Sequence, residues 1–207
     1  WAVGTNAGGL DSTDTVAANT GYGVYLIRRS DTGVVDVLMS SDMTAAGSAL
    51  TMPTNYDQKR LIGWVRTDAS SNIYGFTQRG DSFWLTGINS HPIEISDSTI
   101  TSLTYETVTI STPPDCIAYL GISASNSTST GGTWRVYLRP TGSSWGTPST
   151  GSAFYITTSG TFDFIAFREN ILVNSSSQVD YAMMETSGSS SFNIGISGCT
   201  VLTRSNP

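Results

Sequence analysis

The chain predicts an all-β fold, specifically a two-layer antiparallel β-sandwich of jelly-roll type, and three observations lead there. About a dozen short segments are rich in apolar, β-branched and aromatic residues, several alternating apolar and polar with a period of two. Clusters of Gly, Pro, Ser, Asn and Asp separate them at the spacing of a sandwich or barrel. No fixed-period repeat is present, which argues against a solenoid.

The elements organise around Lys59 to Leu85. This stretch reads as three strands, Lys59 to Thr67, Ile73 to Arg79 and Ser82 to Thr86, and carries Trp64, Tyr74, Phe76, Phe83 and Trp84. Each such ring covers roughly 150–250 Å² when buried, so the meander is the expected sheet nucleus. Asp68 to Asn72 forms its first turn, and Gly80-Asp81 its second, with glycine where φ must be positive.

Before the meander, residues 4–20 are small and polar and read as a loop, preceded by strand character at Trp1-Ala2-Val3. Tyr22 to Arg29 is the first confident strand, and Ser30-Asp31-Thr32-Gly33 turns it onto Val34 to Ser40. Ser41 to Gln58 loses alternation and carries Gly47 and Pro53, so it is a long connection with room for a helical turn near Asp42 to Ala46. After the meander, Gly87 to Ser98 reads as loop or irregular edge because Pro92 cannot donate to a ladder. Further strands are expected at Leu103 to Ser111, Cys116 to Ser123 (apolar enough to be covered on both faces), Trp134 to Arg139, Ser152 to Ile156, Thr161 to Arg168, Gln178 to Glu185, Ser191 to Ile196 and Cys199 to Thr203. Asn126 to Thr133 is a polar hairpin tip, and Pro140 to Gly151 a surface loop with Trp145 at its centre.

Composition narrows the function classes. Charged residues are 13% of the chain, about half the usual share, and the polar surface is made of hydroxyls and amides. A net charge of -6 with ten scattered basic residues argues against nucleic acid, whose phosphates require clustered Lys and Arg. No apolar run reaches the ~18 residues of a bilayer span, so membrane insertion is not expected. At 207 residues, a single domain spanning residues 1–207 is expected, long enough for its own core.

Reactive constellations are sparse. The single histidine, His91, sits between Ser90 and Pro92 without a Gly-x-Ser-x-Gly elbow, so no catalytic residue is assigned. No zinc- or calcium-ligand spacing stands out, so no metal or cofactor is assigned, with calcium in a loop as the open alternative. Asp31, Asp68 and Asp81 fall in turns, where aspartate serves through its own side chain. Arg79-Gly80-Asp81 spells an adhesion motif, yet Gly-Asp is also what a two-residue turn wants. Cys116 and Cys199, 83 positions apart, read as two buried thiols, with one disulfide as the alternative. The sequons at Asn126 and Asn174 bear on a eukaryotic secretory route only. The binding candidates are rings outside strands: Trp145, isolated among small loop residues, and Tyr56, in the long first-half loop. Trp64, Trp84 and Trp134 lie at strand positions and are expected in the core.

The runs Gly21-Tyr22-Gly23-Val24-Tyr25-Leu26-Ile27, Val35-Asp36-Val37-Leu38, Pro53-Thr54-Asn55-Tyr56, Arg60-Leu61-Ile62-Gly63, Phe76 to Gly80, and Asp81 with Phe83-Trp84 resemble a β-sandwich domain of phage tail fibres and related virion proteins. The likeness covers residues 1–85, with the later half similar in rhythm. It implies a non-catalytic, receptor-binding tip that attaches a virion to a bacterial surface glycan or outer-surface protein. It also implies a homotrimer joined to other virion tail proteins, located in the phage tail after assembly in the host cytoplasm. A start at Trp1 fits the distal part of a longer fibre chain. The alternatives are a structural virion protein, such as a capsid decoration or baseplate component, and a polysaccharide-degrading enzyme working through two facing carboxylates.

Overall fold

The expected all-β class is what the chain adopts. In the computed structural model, which describes residues 9–86, 92–97, 104–126, 132–143, 154–158, 162–185 and 190–202, fourteen strands form three mostly antiparallel sheets, and no helix occurs among the described residues. The chain divides into two compact units, each assembled from separated segments. The first comprises Trp1–Asn89, Ser111–Cys116 and Cys199–Pro207, and the second Ser90–Ile110 and Ile117–Gly198.

The first unit is built on a four-stranded sheet of β1 (Gly9–Leu10), β2 (Gly21–Arg28), β3 (Val35–Ser40) and β4 (Gln58–Arg66), in the order β1-β3-β2-β4. The β2–β3 hairpin has a four-residue loop closed by bonds between Arg29 and Val34 and between Gly33 and Arg29, with Gly33 at φ +74. Alternation along β2 places Tyr25 and Ile27 on one face beside Leu38, and Tyr22 and Val24 on the other. Both faces are covered. Leu10, Tyr22 and Val65 form a cluster joined by Val16, Val24 and Met39. The two tyrosines bury their rings and spend their hydroxyls on loop backbone: Tyr22 donates to the Thr15 carbonyl and accepts from the Ala17 N–H, and Tyr25 reaches the carbonyls of Asp42 and Thr44.

A hairpin of β5 (Phe76–Arg79) and β6 (Ser82–Leu85) completes this unit. Between its strands Gly80 has φ +57, the first-position glycine that a two-residue hairpin turn of this kind requires. The ring of Phe83 lies over Gly63 of β4, where a Cβ would stand 3.4 Å from it. Next to Gly63, Ile62 is an extra residue in the β2–β4 ladder, a bulge whose carbonyl accepts the Gln78 amide at 3.2 Å.

The second unit contains β7 (Ile93–Asp97), β8 (Glu106–Thr109), β10 (Gly132–Pro140), β11 (Phe154–Thr158), β12 (Phe162–Leu172), β13 (Gln178–Glu185) and most of β9 (Cys116–Asn126) and β14 (Ser190–Val201). One sheet runs β11-β10-β13-β8, and another β12-β9-β14 with β7 also on β14. Their inner faces meet where the Tyr181 and Phe192 rings stack with centroids 6.2 Å apart. Val136 and Val179 line one side of this layer, and Ala118, Leu120, Ile122, Ile194 and Ile196 the other.

Several elements differ from expectation, each through pairing that local sequence does not carry. Gly9–Leu10, inside the expected loop 4–20, forms a parallel pair with β3. β7 forms after Pro92, where loop or irregular edge was expected. The proline carries no N–H to lose, and its carbonyl accepts the Ile196 N–H. β14 runs through Ser197-Gly198, where two strands were expected. Residues 44–47 make one turn, not a helix. β9 buries Cys116, Ala118, Leu120 and Ile122, while Ile117 and Tyr119 are only half-covered. The expected strand at Trp1-Ala2-Val3 lies outside the described residues, as do the tip residues 127–131 and loop residues 144–151.

Trp64, expected in the core, is 1% exposed, and its indole N–H donates to the Ser111 carbonyl at 2.9 Å. Gly21 makes this approach possible: a Cβ there would stand 2.6 Å from that carbonyl oxygen and 2.9 Å from the indole nitrogen. Gly21→Ala is therefore expected to lower unfolding free energy by about 2–3 kcal/mol, in the range of an overpacked core. Urea denaturation of the variant against the native chain checks this.

Candidate functional site

The β5–β6 hairpin presents the largest group of uncovered rings among the described residues. In β6 the sequence Phe83-Trp84-Leu85 alternates, so Phe83 (2% exposed) and Leu85 (8%) point inward and Trp84 (37%) points the other way. This corrects the expectation that Trp84 is core. The signal was in the sequence, because a strand cannot bury three consecutive side chains on one face.

Antiparallel register fixes Trp84's neighbours. Residues directly opposite share a face, so Thr77, opposite Trp84, and the pair Arg79–Ser82 lie on its side of the hairpin. Thr77 and Arg79 are exposed. The Trp84 face so formed pairs a flat indole with a hydroxyl and a guanidinium, groups that stack on and hydrogen-bond to a polyhydroxylated ligand. Phe76, opposite Leu85 on the other face, is 42% exposed.

The hairpin is held along its edge by the neighbouring strand β14. The Asp81 carbonyl accepts the Val201 N–H, the hydroxyls of Ser82 and Thr200 are hydrogen-bonded at 2.7 Å, and the Gln78 amide ties to the Ile62 and Gly80 carbonyls. Arg79-Gly80-Asp81 is thus the tight turn itself, with Asp81 half-covered.

The two binding candidates read from the sequence do not join this surface. Tyr56 is 6% exposed, with its N–H bonded to the Pro53 carbonyl in a turn where Asn55 takes φ +71. A ring covered to that extent offers no face for stacking. Trp145 and His91 lie outside the described residues, as does the side chain of Trp134.

Carboxylates in the first unit serve loops. Asp11, 0% exposed, accepts from the Thr13 and Thr51 N–H groups. Asp14 accepts from the Ser41 N–H and the Ser40 and Ser41 hydroxyls, and Asp42 from the Thr44 and Ala49 N–H groups. Asp68 accepts from Ser70 and Asn72, the turn duty expected of it, and those bonds, led by that of Asn72, hold its carboxyl below the usual range. Asp31 is bonded to Arg29 in the β2–β3 loop. Among the described residues, no group of three or more His, Cys, Asp or Glu is arranged to hold a metal ion.

In the second unit the main polar node is Asp180, 4% exposed. It accepts from Arg139 at 2.9 Å, Thr107 at 2.8 Å and Thr141 at 3.0 Å, and the Arg139 guanidinium lies 3.7 Å from the centre of the Tyr105 ring. Burial pushes the Asp180 carboxyl upward, but the three donors and the Arg139 charge outweigh it and hold it below the ordinary carboxylate range.

No protein-family model matches the chain, and no curated protein matches it. The likeness to fibre domains therefore rests on the residue runs quoted for it.

Asp180 carries a pH consequence. Its folded-state pKa lies below its unfolded value, so its stabilising contribution is complete above about pH 4 and is lost as pH falls toward the lowered folded value. The thermal midpoint is expected to fall between pH 5 and 3, and Asp180→Asn, less stable at pH 7, to show a shallower fall. Calorimetry across that range checks both.

Proposed function

We propose that this chain is a non-catalytic receptor-binding domain of a phage tail fibre, attaching the virion to a bacterial surface glycan. The observation that carries the reading is the uncovered Trp84 face of the hairpin, on a chain whose polar surface is hydroxyl and amide rather than charge. Sugar recognition uses such a set: an indole stacks on the apolar face of the ring, while hydroxyl and guanidinium groups bond its substituents. The resemblance of residues 1–85 to fibre domains supplies the virion context, the homotrimer, the other tail proteins as partners and the jelly-roll connectivity. Three weak sites on one trimer raise avidity through effective concentration without any new contact.

A structural role in the virion is the second reading, supported by a separate apolar group on the β2–β3 hairpin, Leu26, Val34 and Val35, at 38–51% exposed. Lateral packing of subunits would cover it.

Glycan-array binding separates these readings. The native chain is expected to bind a subset of bacterial surface glycans. Trp84→Ala should weaken that binding at least tenfold, the scale of one lost stacking contact, and Trp145→Ala tests the loop ring in the same assay. Binding unchanged in both variants would reject the assigned sites, and release of reducing sugar from a bound polysaccharide would reject the non-catalytic reading. Mass in solution distinguishes monomer from trimer.

A further inference from the structure

Cys116 and Cys199 are both 0% exposed and both free thiols. They lie on neighbouring strands, Cys116 at the first residue of β9 and Cys199 near the end of β14. The Ser197 hydroxyl donates to the Tyr119 carbonyl at 2.9 Å. Two residues forward along β14 and three back along β9 from that contact lead to Cys199 and Cys116, the direction in which antiparallel strands pair. The neighbouring Cys116 thiol together with burial holds the Cys199 thiol well above its ordinary range.

Opposed residues on antiparallel strands have Cα atoms about 4.5–5.5 Å apart, inside the roughly 4.4–6.8 Å window of a disulfide. The positions along the chain are also particular. The chain leaves the first unit after Cys116 and re-enters it at Cys199, so a bond between them would enclose residues 117–198, most of the second unit.

We propose that Cys116 and Cys199 are a reversible disulfide site that closes when the chain folds in the presence of a small-molecule disulfide. A thiolate of one cysteine attacks the small disulfide and releases one small thiol. The second cysteine, deprotonated, attacks the mixed disulfide and releases the other. The two cysteine sulfurs lose two electrons, the small disulfide gains them, and the two protons leave on the released thiols or to solvent. Closure belongs to folding because burial shields both sulfurs in the finished fold and leaves little thiolate at Cys199. The cross-link acts mainly on the unfolded chain, whose entropy a loop of this length restricts strongly.

The test refolds the native chain from denaturant with oxidised and reduced glutathione, counts thiols in denaturant and maps peptides without reductant. The expected result is loss of both thiols, one joined peptide pair containing Cys116 and Cys199, and a thermal midpoint roughly 10 °C above that of the reduced chain, reversed when the chain is unfolded and refolded with reductant. Cys116→Ala and Cys199→Ala should each show no such gain. Retention of both thiols in the refolded native chain, or glutathione adducts and intermolecular links in place of the joined peptide, overturns the proposal. The deciding measurements are on the native chain, so poor folding of either variant leaves the result intact.

Discussion

The loops of this protein depend on one constraint: with ten basic residues against sixteen acidic ones, at least six carboxylates have no cation of their own to meet. They are satisfied by backbone N–H groups instead. Asp11, Asp14, Asp42 and Asp68 each accept one or more main-chain donors from irregular segments, and Asn174 does the same for Ser176 and Gln178. A buried N–H without an acceptor is costly, and a carboxylate with several lone pairs is a strong acceptor. Long connections such as residues 41–57 are thereby ordered without helices.

Where the carboxylates organise the loops, glycines set how closely the layers approach. Gly21 lets the Trp64 indole reach the Ser111 carbonyl, and Gly63 lets the Phe83 ring lie over β4. The Phe83 contact fastens the β5–β6 hairpin by an inward residue, while Trp84 on the opposite face is 37% exposed. The same strand both packs and presents: Phe83 and Leu85 are spent on the core, and Trp84 is not. A hairpin held this way keeps its outward side chains in place, so under the proposed sugar-binding reading little conformational entropy would be lost on contact with a ligand.

The second unit reaches stability by a different polar route. Asp180 and Arg139 form a charge-assisted pair that threonine hydroxyls complete and the Tyr105 ring covers. A buried carboxylate of this kind contributes chiefly when its lone pairs are matched, and Thr107 and Thr141 donate to Asp180 beside Arg139.

Period-two alternation and turn chemistry made the all-β class, the β2–β3 hairpin, the Gly80-Asp81 turn and the burial of Trp64 readable from residues alone, because each is set by neighbours a few positions away. Tyr56 and Trp84 reverse the rule that loop rings are exposed and strand rings buried: Tyr56 is packed inside its loop and Trp84 faces out of its strand. Alternation separates Trp84 from Phe83 and Leu85, while the packing partner that covers the Phe83 face comes from β4, distant in the chain. The pairing of β7 with β14, the parallel pair at Gly9–Leu10 and the meeting of Cys116 with Cys199 were decided only by tertiary structure. Strand ladders join residues far apart in the chain, and nothing in a local pattern encodes the identity of a distant partner.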